Sequence, residues 1–308
     1  MKLSQQEWLD IFKGVYEEEI GFDMPMSEHT WLSIGGPADV FLMPQDPLSI
    51  RNLMVVLKNE GVPFFTLGGG TNILVRDGGI EGVVISLKNF RRMEVLKEGD
   101  ESAELFIEAG VSLQKYVNFC KERGYSGAEG LIGIPGTVGG AICGNAGSFG
   151  CEMKDSVLSV AIMDSSGRLD RFKAEGLGFG YRRSDIKGTD IVLSANVRLT
   201  RQEKEAVTRR TGKFFSEKKA SQPISDRSAG CVFKNPQNTS AGRLIDEAGY
   251  KGMRVGGIEV STLHANFFIN RGGGTASEYL ALMERVSAGV REKFGIVLEP
   301  EIKVVGRG

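Results

Sequence analysis

What this sequence lacks narrows its chemistry. Its 308 residues hold only two histidines, His29 and His264, and four cysteines, Cys120, Cys143, Cys151 and Cys231, with no CxxC pair. Zinc sites draw on clustered Cys and His ligands, so none is expected. Reduced thiols in a cytoplasmic protein are the simplest reading. No apolar run approaches the roughly 18 residues that span a bilayer. The opening MKLSQQEWLDIF has no basic segment leading into an apolar one, so neither a membrane span nor a signal peptide is expected. Charge excess is missing too. Lys plus Arg number 38 against 39 Asp plus Glu, a formal net charge of -1, without the basic footprint of a nucleic-acid binder. No nucleic-acid or membrane partner is therefore expected, and no obligate protein partner is evident. Two phosphate-binding signatures are also absent. No GxxxxGK followed by Ser or Thr occurs, and GLGFGY at 176–181 misses the third glycine of GxGxxG.

Glycine is what is abundant: 42 of 308 residues, about 14% and roughly twice ordinary usage. The glycines cluster. Gly68-Gly69-Gly70-Thr71-Asn72 sits between the strand-like runs VPFFTL and ILV, and a dense stretch runs GAEGLIGIPGTVGGAICGNAGSFG from Gly127 to Gly150. That stretch alternates glycine with apolar residues and lacks the Ser, Pro and charge bias of disorder, so ordered backbone packed close to something is expected. Consecutive N–H groups in GGGTN form a nest suited to phosphate oxygens, although a glycine-rich hairpin turn explains the same residues. Two nests, at 68–72 and 134–147, could flank one extended pyrophosphate.

Elsewhere the periodicity predicts helices. Trp8, Ile11, Phe12 and Val15 mark a short one in the first twenty residues. Ile50, Leu53, Met54 and Leu57 mark another at 47–60. Leu113, Tyr116, Val117 and Cys120 give a third that stops at Gly124. The charged run 201–222 reads as a helix and a domain boundary, with Arg209, Arg210 and Lys213 on a solvated face. AGRLIDEAG and 278–294 complete the helices, and strands are expected at 104–109, within 156–200 and around 255–270.

Several strings together resemble the UDP-N-acetylenolpyruvoylglucosamine reductase family. They are Thr30 with IGGPAD at 34–39, LGGGTNILV, GIPGTVGGAICGNAGSFG, GYRRS at 180–184, SAGCVFKNP, AGRLIDEAGYKG, HANFFIN and LEPE at 298–301. They occur in family order over about residues 30 to 305. The resemblance implies an α+β fold, with a two-lobed FAD-binding domain of the p-cresol methylhydroxylase-like kind and a C-terminal α+β domain for the UDP-sugar. The expected divisions are an N-terminal helix at 1–20, the FAD domain at 21–205 (lobes about 21–88 and 89–205) and the substrate domain at 206–308. The implied reaction is NADPH-dependent, FAD-mediated reduction of UDP-N-acetylglucosamine enolpyruvate to UDP-N-acetylmuramate, in the cytoplasmic stage of peptidoglycan precursor synthesis. FAD is held noncovalently. No tyrosine lies between Tyr181 and Cys231, so the chain resembles the shorter subtype, without a Tyr-bearing substrate loop.

The resemblance assigns the chemistry residue by residue. Arg182 of GYRRS matches the catalytic arginine, a permanent bidentate cation for a carboxylate. Glu301 matches the catalytic glutamate. Beside a developing enolate that role demands that it be protonated or donate through a neighbour, and Glu299, two residues away, shares its face by spacing. Cys231 stands where the proton donor is often serine; a thiol is the better acid, with a free pKa of about 8.5. A small buried hydrophobe is the alternative reading of Cys231. Asn235 matches a substrate-binding asparagine, with Lys234 beside it, and Lys219 or its neighbour Lys218 could reach the diphosphate. The expected flavin contacts are Gly68, Gly69, Gly70, Thr71 and Asn72, then Ile134, Pro135, Gly136, Thr137, Gly140, Asn145, Ala146 and Gly147. His264 is expected to be structural. Two other readings stay open: a flavin oxidase or dehydrogenase with another substrate, and a nucleotide-sugar binder without turnover.

Overall fold

The computed structural model describes residues 3–308. The chain divides into two compact units, neither contiguous in sequence: 1–23, 39–69 and 82–216 in the first; 24–38, 70–81 and 217–308 in the second.

The first unit holds five helices: α1 (Gln5–Phe12), α2 (Pro47–Asn59), α3 (Leu113–Arg123), the short α4 (Val138–Cys143) and most of α5 (Lys204–Ser221). Local chemistry sets their ends. Asp46 accepts from the Ser49 amide ahead of a proline in the first turn of α2, satisfying a donor that the helix itself leaves open. Ser112 does the same for α3, which ends at Gly124 with φ of 71°, a left-handed cap that glycine adopts without strain. Four strands form one sheet in the order Ile20–Pro25, Pro37–Leu42, Ile80–Ser86, Phe64–Leu67. A second, antiparallel sheet runs Leu169–Lys173, Val157–Met163, Ile191–Arg201, Ser102–Glu108, Met93–Glu98, with Tyr125–Ser126 also pairing to Ile191–Arg201. In Ser102–Glu108 every second residue (Ala103, Leu105, Ile107) is buried, the period-2 pattern of a half-covered strand.

The second unit pairs α6 (Ala241–Glu247) and α7 (Ala276–Phe294) with an antiparallel sheet ordered Ser228–Cys231, Phe267–Asn270, Ile258–Val260, Arg254–Val255. A two-stranded parallel ladder joins Ile73–Val75 to Lys303–Val305. The stripe Leu282, Met283, Val286 and Val290 of α7 is buried against Phe268, Ile258 and Val260.

The division differs from the contiguous boundaries expected at 205/206. Residues 24–38 and 70–81 belong with 217–308 because Leu32, Ile34 and Leu74 lie in that unit's core. The backbone seals the arrangement: the Gly36 amide donates to the Arg76 carbonyl at 3.1 Å, and a Cβ on Gly36 would collide with the Asp77 carbonyl oxygen. Among the described residues, no helix is long and apolar enough to cross a membrane.

Candidate functional site

In the first unit the two glycine-rich segments meet. A Cβ on Gly68 would lie 2.8 Å from the Thr137 Oγ1 and 4.0 Å from the Gly140 nitrogen. Thr137 caps α4, accepting weakly from the Gly140 amide at 3.5 Å. Gly139 is glycine for packing, since its Cβ would sit 2.7 Å from the Ala109 Cβ. Gly140 and Pro135 are exposed, Ile134, Gly136 and Thr137 half-buried, and a Cβ on Gly140 would touch only Thr137 Oγ1, at 3.7 Å. The result is a cradle of main chain with almost no side-chain filling between Gly68 and the turn into α4. Such lining suits a pyrophosphate, which takes its hydrogen bonds from backbone N–H groups. On that observation the residues present fit an FAD pyrophosphate.

Farther along, the expectation changes. Asn145 is fully buried with φ of 42°. Its Nδ2 donates to Glu152 Oε2 at 3.0 Å and to the Gly180 carbonyl at 2.9 Å, Oδ1 accepts from the Lys154 amide at 3.0 Å, and its own amide donates to Ile142. The Ala146 amide donates to the Ala141 carbonyl. These donors hold the fold together, so Asn145 and Ala146 can offer a flavin contact surface and no N–H. Gly147 is buried and is glycine because a Cβ would strike the Cys151 carbonyl oxygen.

Arg182 stands at the rim of an open cleft of about 380 Å³ that also includes Gly147, Cys151, Glu152 and Tyr181. It occupies the third position of a tight turn in which Gly180 and Arg183 exchange backbone hydrogen bonds of 3.0 and 3.2 Å. Its φ is +55°, a region that side chains other than Asn and Asp seldom enter, and such strain concentrates at functional sites. The guanidinium Nη2 donates to the Gly147 carbonyl at 2.9 Å and lies over the Tyr181 ring at 5.2 Å. Glu152 opposes it. Burial raises this carboxyl, but Lys154, Asn145 and then Arg182 outweigh burial and hold it below its usual range. Cys151, in the same cleft, is pushed up to about 11, first by burial and then by Asp155, so it remains a thiol.

In the second unit, Cys231 and Glu301 lie on adjoining segments. Gly230, with φ of 74°, sits within an irregularity between Ser228 and Cys231, and Cys231 pairs with Phe267. Beyond it the chain runs antiparallel to LEPE: Glu301 donates to the Val232 carbonyl at 2.8 Å, Phe233 bridges Pro300, and the Lys234 amide donates to the Glu299 carbonyl at 2.8 Å. Exposure tells apart the two glutamates that spacing could not. Glu299 is 69% exposed in its side chain and pairs with Lys234 Nζ at 2.5 Å, whereas Glu301 is half-buried. Lys234 therefore meets a carboxylate of its own chain. Asn235 is exposed, and its Oδ1 accepts from the Ala241 amide at 3.1 Å, at the start of α6. Lys218 is buried and Lys219 exposed on α5. Gly70 is buried with φ of 64°, and its Cβ would collide with the His29 carbonyl oxygen; Thr71 is half-buried and Asn72 exposed.

Other polar residues carry more structure than their sequence suggested. Asn266 mimics a strand for Phe233, accepting its amide at 3.0 Å and donating to its carbonyl at 2.7 Å. His264 accepts from the Asn266 amide at 3.3 Å and meets Phe267 edge-on, and burial lowers its pKa; it is structural. Arg210 keeps 38% of its side chain exposed but is also tied inward: it donates to Glu129 at 2.6 and 2.9 Å and to Ser126 at 3.0 Å, and Glu129 is almost completely buried. Asparagine is uncommon in strands, so the two in HANFFIN were the available signal for a buried polar bracket. Nothing local linked Arg210 to Glu129.

A main-chain cradle, an α+β fold of two units and a strained arginine beside a cleft fit an FAD-dependent oxidoreductase. Residues 38–173 match an FAD binding domain family, and residues 222–305 match the family described as UDP-N-acetylenolpyruvoylglucosamine reductase, C-terminal domain. The UDP-N-acetylenolpyruvoylglucosamine reductase of Geotalea uraniireducens is 42% identical over 288 residues, covering 94% of each chain. The crystal structure of the Thermus caldophilus reductase superposes with a TM-score of 0.80 at 35% identity, covering 94% of this chain and 98% of that one. A berberine bridge enzyme structure, at 15% identity and a TM-score of 0.50 over 64% of this chain, shares the fold alone. The chain belongs to the UDP-N-acetylenolpyruvoylglucosamine reductase family.

Proposed function

We propose that the protein reduces the enolpyruvyl ether of UDP-N-acetylglucosamine enolpyruvate to the lactyl ether of UDP-N-acetylmuramate, drawing hydride from NADPH, in the cytoplasm. Bound FAD would supply the hydride chemistry that links NADPH to the methylene carbon of the enolpyruvyl group. The rest falls to the protein. Gly68, Gly69, Thr71, Thr137 and Gly140 are the residues that would hold the FAD pyrophosphate, through main-chain and hydroxyl donors. Charge then builds on the substrate carboxylate, and Arg182 is the permanent cation that stabilises it. The carbon beside the carboxylate needs a proton, which the Cys231 thiol gives. Glu301 acts in its protonated form at the same reaction, or donates through a neighbour. Asn235 and Lys219 are assigned to the UDP-sugar. Lys234, already paired with Glu299, acts at one remove.

The observation that supports this reading best is the adjacency of Cys231 and Glu301, whose segments are joined by the Glu301 amide donating to the Val232 carbonyl at 2.8 Å. Protonation of a carbon requires one acid, the part assigned to Cys231, and the shared ladder keeps the segment of Glu301 beside the segment that carries it. The test is anaerobic. NADPH should bleach the flavin band near about 450 nm, and UDP-N-acetylglucosamine enolpyruvate alone should then restore it. A reduced protein that the substrate leaves bleached would exclude this function.

A further inference from the structure

Asn72 reads from the sequence as a flavin contact, but its side chain is turned to another use. Nδ2 donates to the carbonyl of Glu301 at 3.2 Å, across 229 positions of chain. The Asn72 carbonyl in turn accepts from the Lys303 amide at 3.1 Å, just before Ile73 and Lys303 come into register in the parallel ladder. At its other end the Glu301 peptide amide donates to Val232, one residue past Cys231. Glu301 is thus held on both sides of its Cα: the amide by the strand that carries Cys231, the carbonyl by the last residue of the GGGTN loop.

We infer that Asn72 is a positioning residue for Glu301, and that it sets the placement of this carboxyl from the loop that also meets the cofactor. The inference rests on the reading of Glu301 given above. The physical reason lies at the end of a ladder. LEPE leaves the antiparallel pairing with 232–234 at Glu301 and enters the parallel pairing with 73–75 at Lys303. The Glu301 carbonyl lies between the two ladders, and the Asn72 side chain reaches in from the loop to bond it. The N–H of the same peptide, on Ile302, reaches the Val232 carbonyl at 3.4 Å, so without the Asn72 amide this segment is held from the 232 side alone and the Cα that carries the carboxyl is less tightly placed. A displacement of about 1 Å at a reacting group costs on the order of 10²-fold in rate. The arrangement also gives the loop's composition a reason. Gly68 to Gly70 admit close backbone approach, whereas an asparagine at position 72 presents a donor on a short, stiff stem.

The test uses the holoenzyme with Asn72→Ala and Asn72→Asp. Both should keep flavin through gel filtration and bleach with NADPH within about 2-fold of the parent rate. Reoxidation by UDP-N-acetylglucosamine enolpyruvate should slow about 10-fold to 100-fold, and the pH profile of that half-reaction should shift. In a Glu301→Gln background, Asn72→Ala should add almost nothing, because both changes act through one group. Amide exchange across 301–303 should rise in both variants whether or not flavin is bound. Loss of flavin in parallel with rate would make Asn72 a cofactor ligand and overturn the inference. So would unchanged reoxidation, or a slowing that adds in full to that of Glu301→Gln. Should the parent protein bleach with NADPH yet ignore the substrate, the functional reading fails, and amide exchange at 301–303 alone then decides whether Asn72 holds this peptide.

Discussion

At the scale of single residues, the assignments of Arg182 and Cys231 both place the demand on reduction of the substrate and not on reduction of the flavin. In the role proposed for it, Arg182 would stabilise charge that exists only during reduction of the substrate. Its Nη2 bond to the Gly147 carbonyl and its place over Tyr181 hold the guanidinium at the cleft rim. Arg182→Ala should therefore cost about 10²-fold or more in turnover while flavin remains bound, read by steady-state kinetics alongside the absorbance of the purified protein. Turnover within a few-fold of the parent would remove it from the reaction. The φ of +55° makes the alanine variant strained too, so Arg182→Lys, which keeps charge and loses the fork, should fall between. Cys231 gives a sharper contrast. Cys231→Ala should bleach normally with NADPH and stall on substrate; Cys231→Ser should keep substantial activity, since a hydroxyl can replace the thiol as donor. A serine variant as inactive as the alanine one would mean that the thiol serves in some other way.

At the scale of elements, α7 depends on a residue far from it in sequence. Asp77 accepts from the Ala276 amide at 2.8 Å and from the Ser277 amide and hydroxyl at 2.9 and 2.6 Å. It adds to the capping box that Thr275 and Glu278 already form. A carboxylate over the open N–H groups of a helix start is favoured by hydrogen bonding and by the helix dipole. Partial burial raises the Asp77 pKa, but the bonds from Ser277 and Ala276 outweigh it and leave the carboxyl below its ordinary value. Because the folded value is the lower one, the stabilisation is complete above the unfolded pKa of about 3.9 and fades as pH falls through the folded value. Asp77→Ala should cost about 1 kcal/mol near neutrality, measured by urea unfolding, and the gap to the parent should close below that range. A gap constant with pH would show that the carboxylate charge plays no part. The same element shows what could be read in advance. The stripe of α7 and the Gly124 cap of α3 are local patterns with periods and signatures. Asp77 over α7, Glu129 under Arg210 and Asn145 across Gly180 join residues whose neighbourhood in sequence says nothing of their partners. Among the glycines, Gly68 and Gly147 were legible as close approach, but whether the neighbour would be ligand or backbone was not: for Gly147 it is the Cys151 carbonyl.

At the scale of the molecule, the second unit is assembled from three stretches of chain, and this has a thermodynamic consequence. A substrate domain cut at the charged helix, residues 206–308, looks complete by composition, with three helices, the first trimmed at its start, and five strands. It lacks Leu32, Ile34 and Leu74, which are 0%, 2% and 0% exposed in that core. It also lacks the strand that pairs with Lys303–Val305 and the cap from Asp77. Emptying a core position of a Leu or Ile costs about 2–5 kcal/mol, so three such losses come to roughly 6–15 kcal/mol, as much as the whole stability of a typical domain. The fragment 206–308 should therefore unfold without a cooperative transition in urea and show little amide protection in α7, whereas the full chain should protect α7 strongly. A fragment that melts sigmoidally, with a slope of about 1 kcal/mol/M or more, as an intact small domain shows, would mean that 24–38 and 70–81 are dispensable guests of this core. The expected failure carries a functional corollary. Glu301 and the 70–72 loop share one folding unit, so the carboxyl assigned to catalysis forms only when the segment assigned to the cofactor is in place.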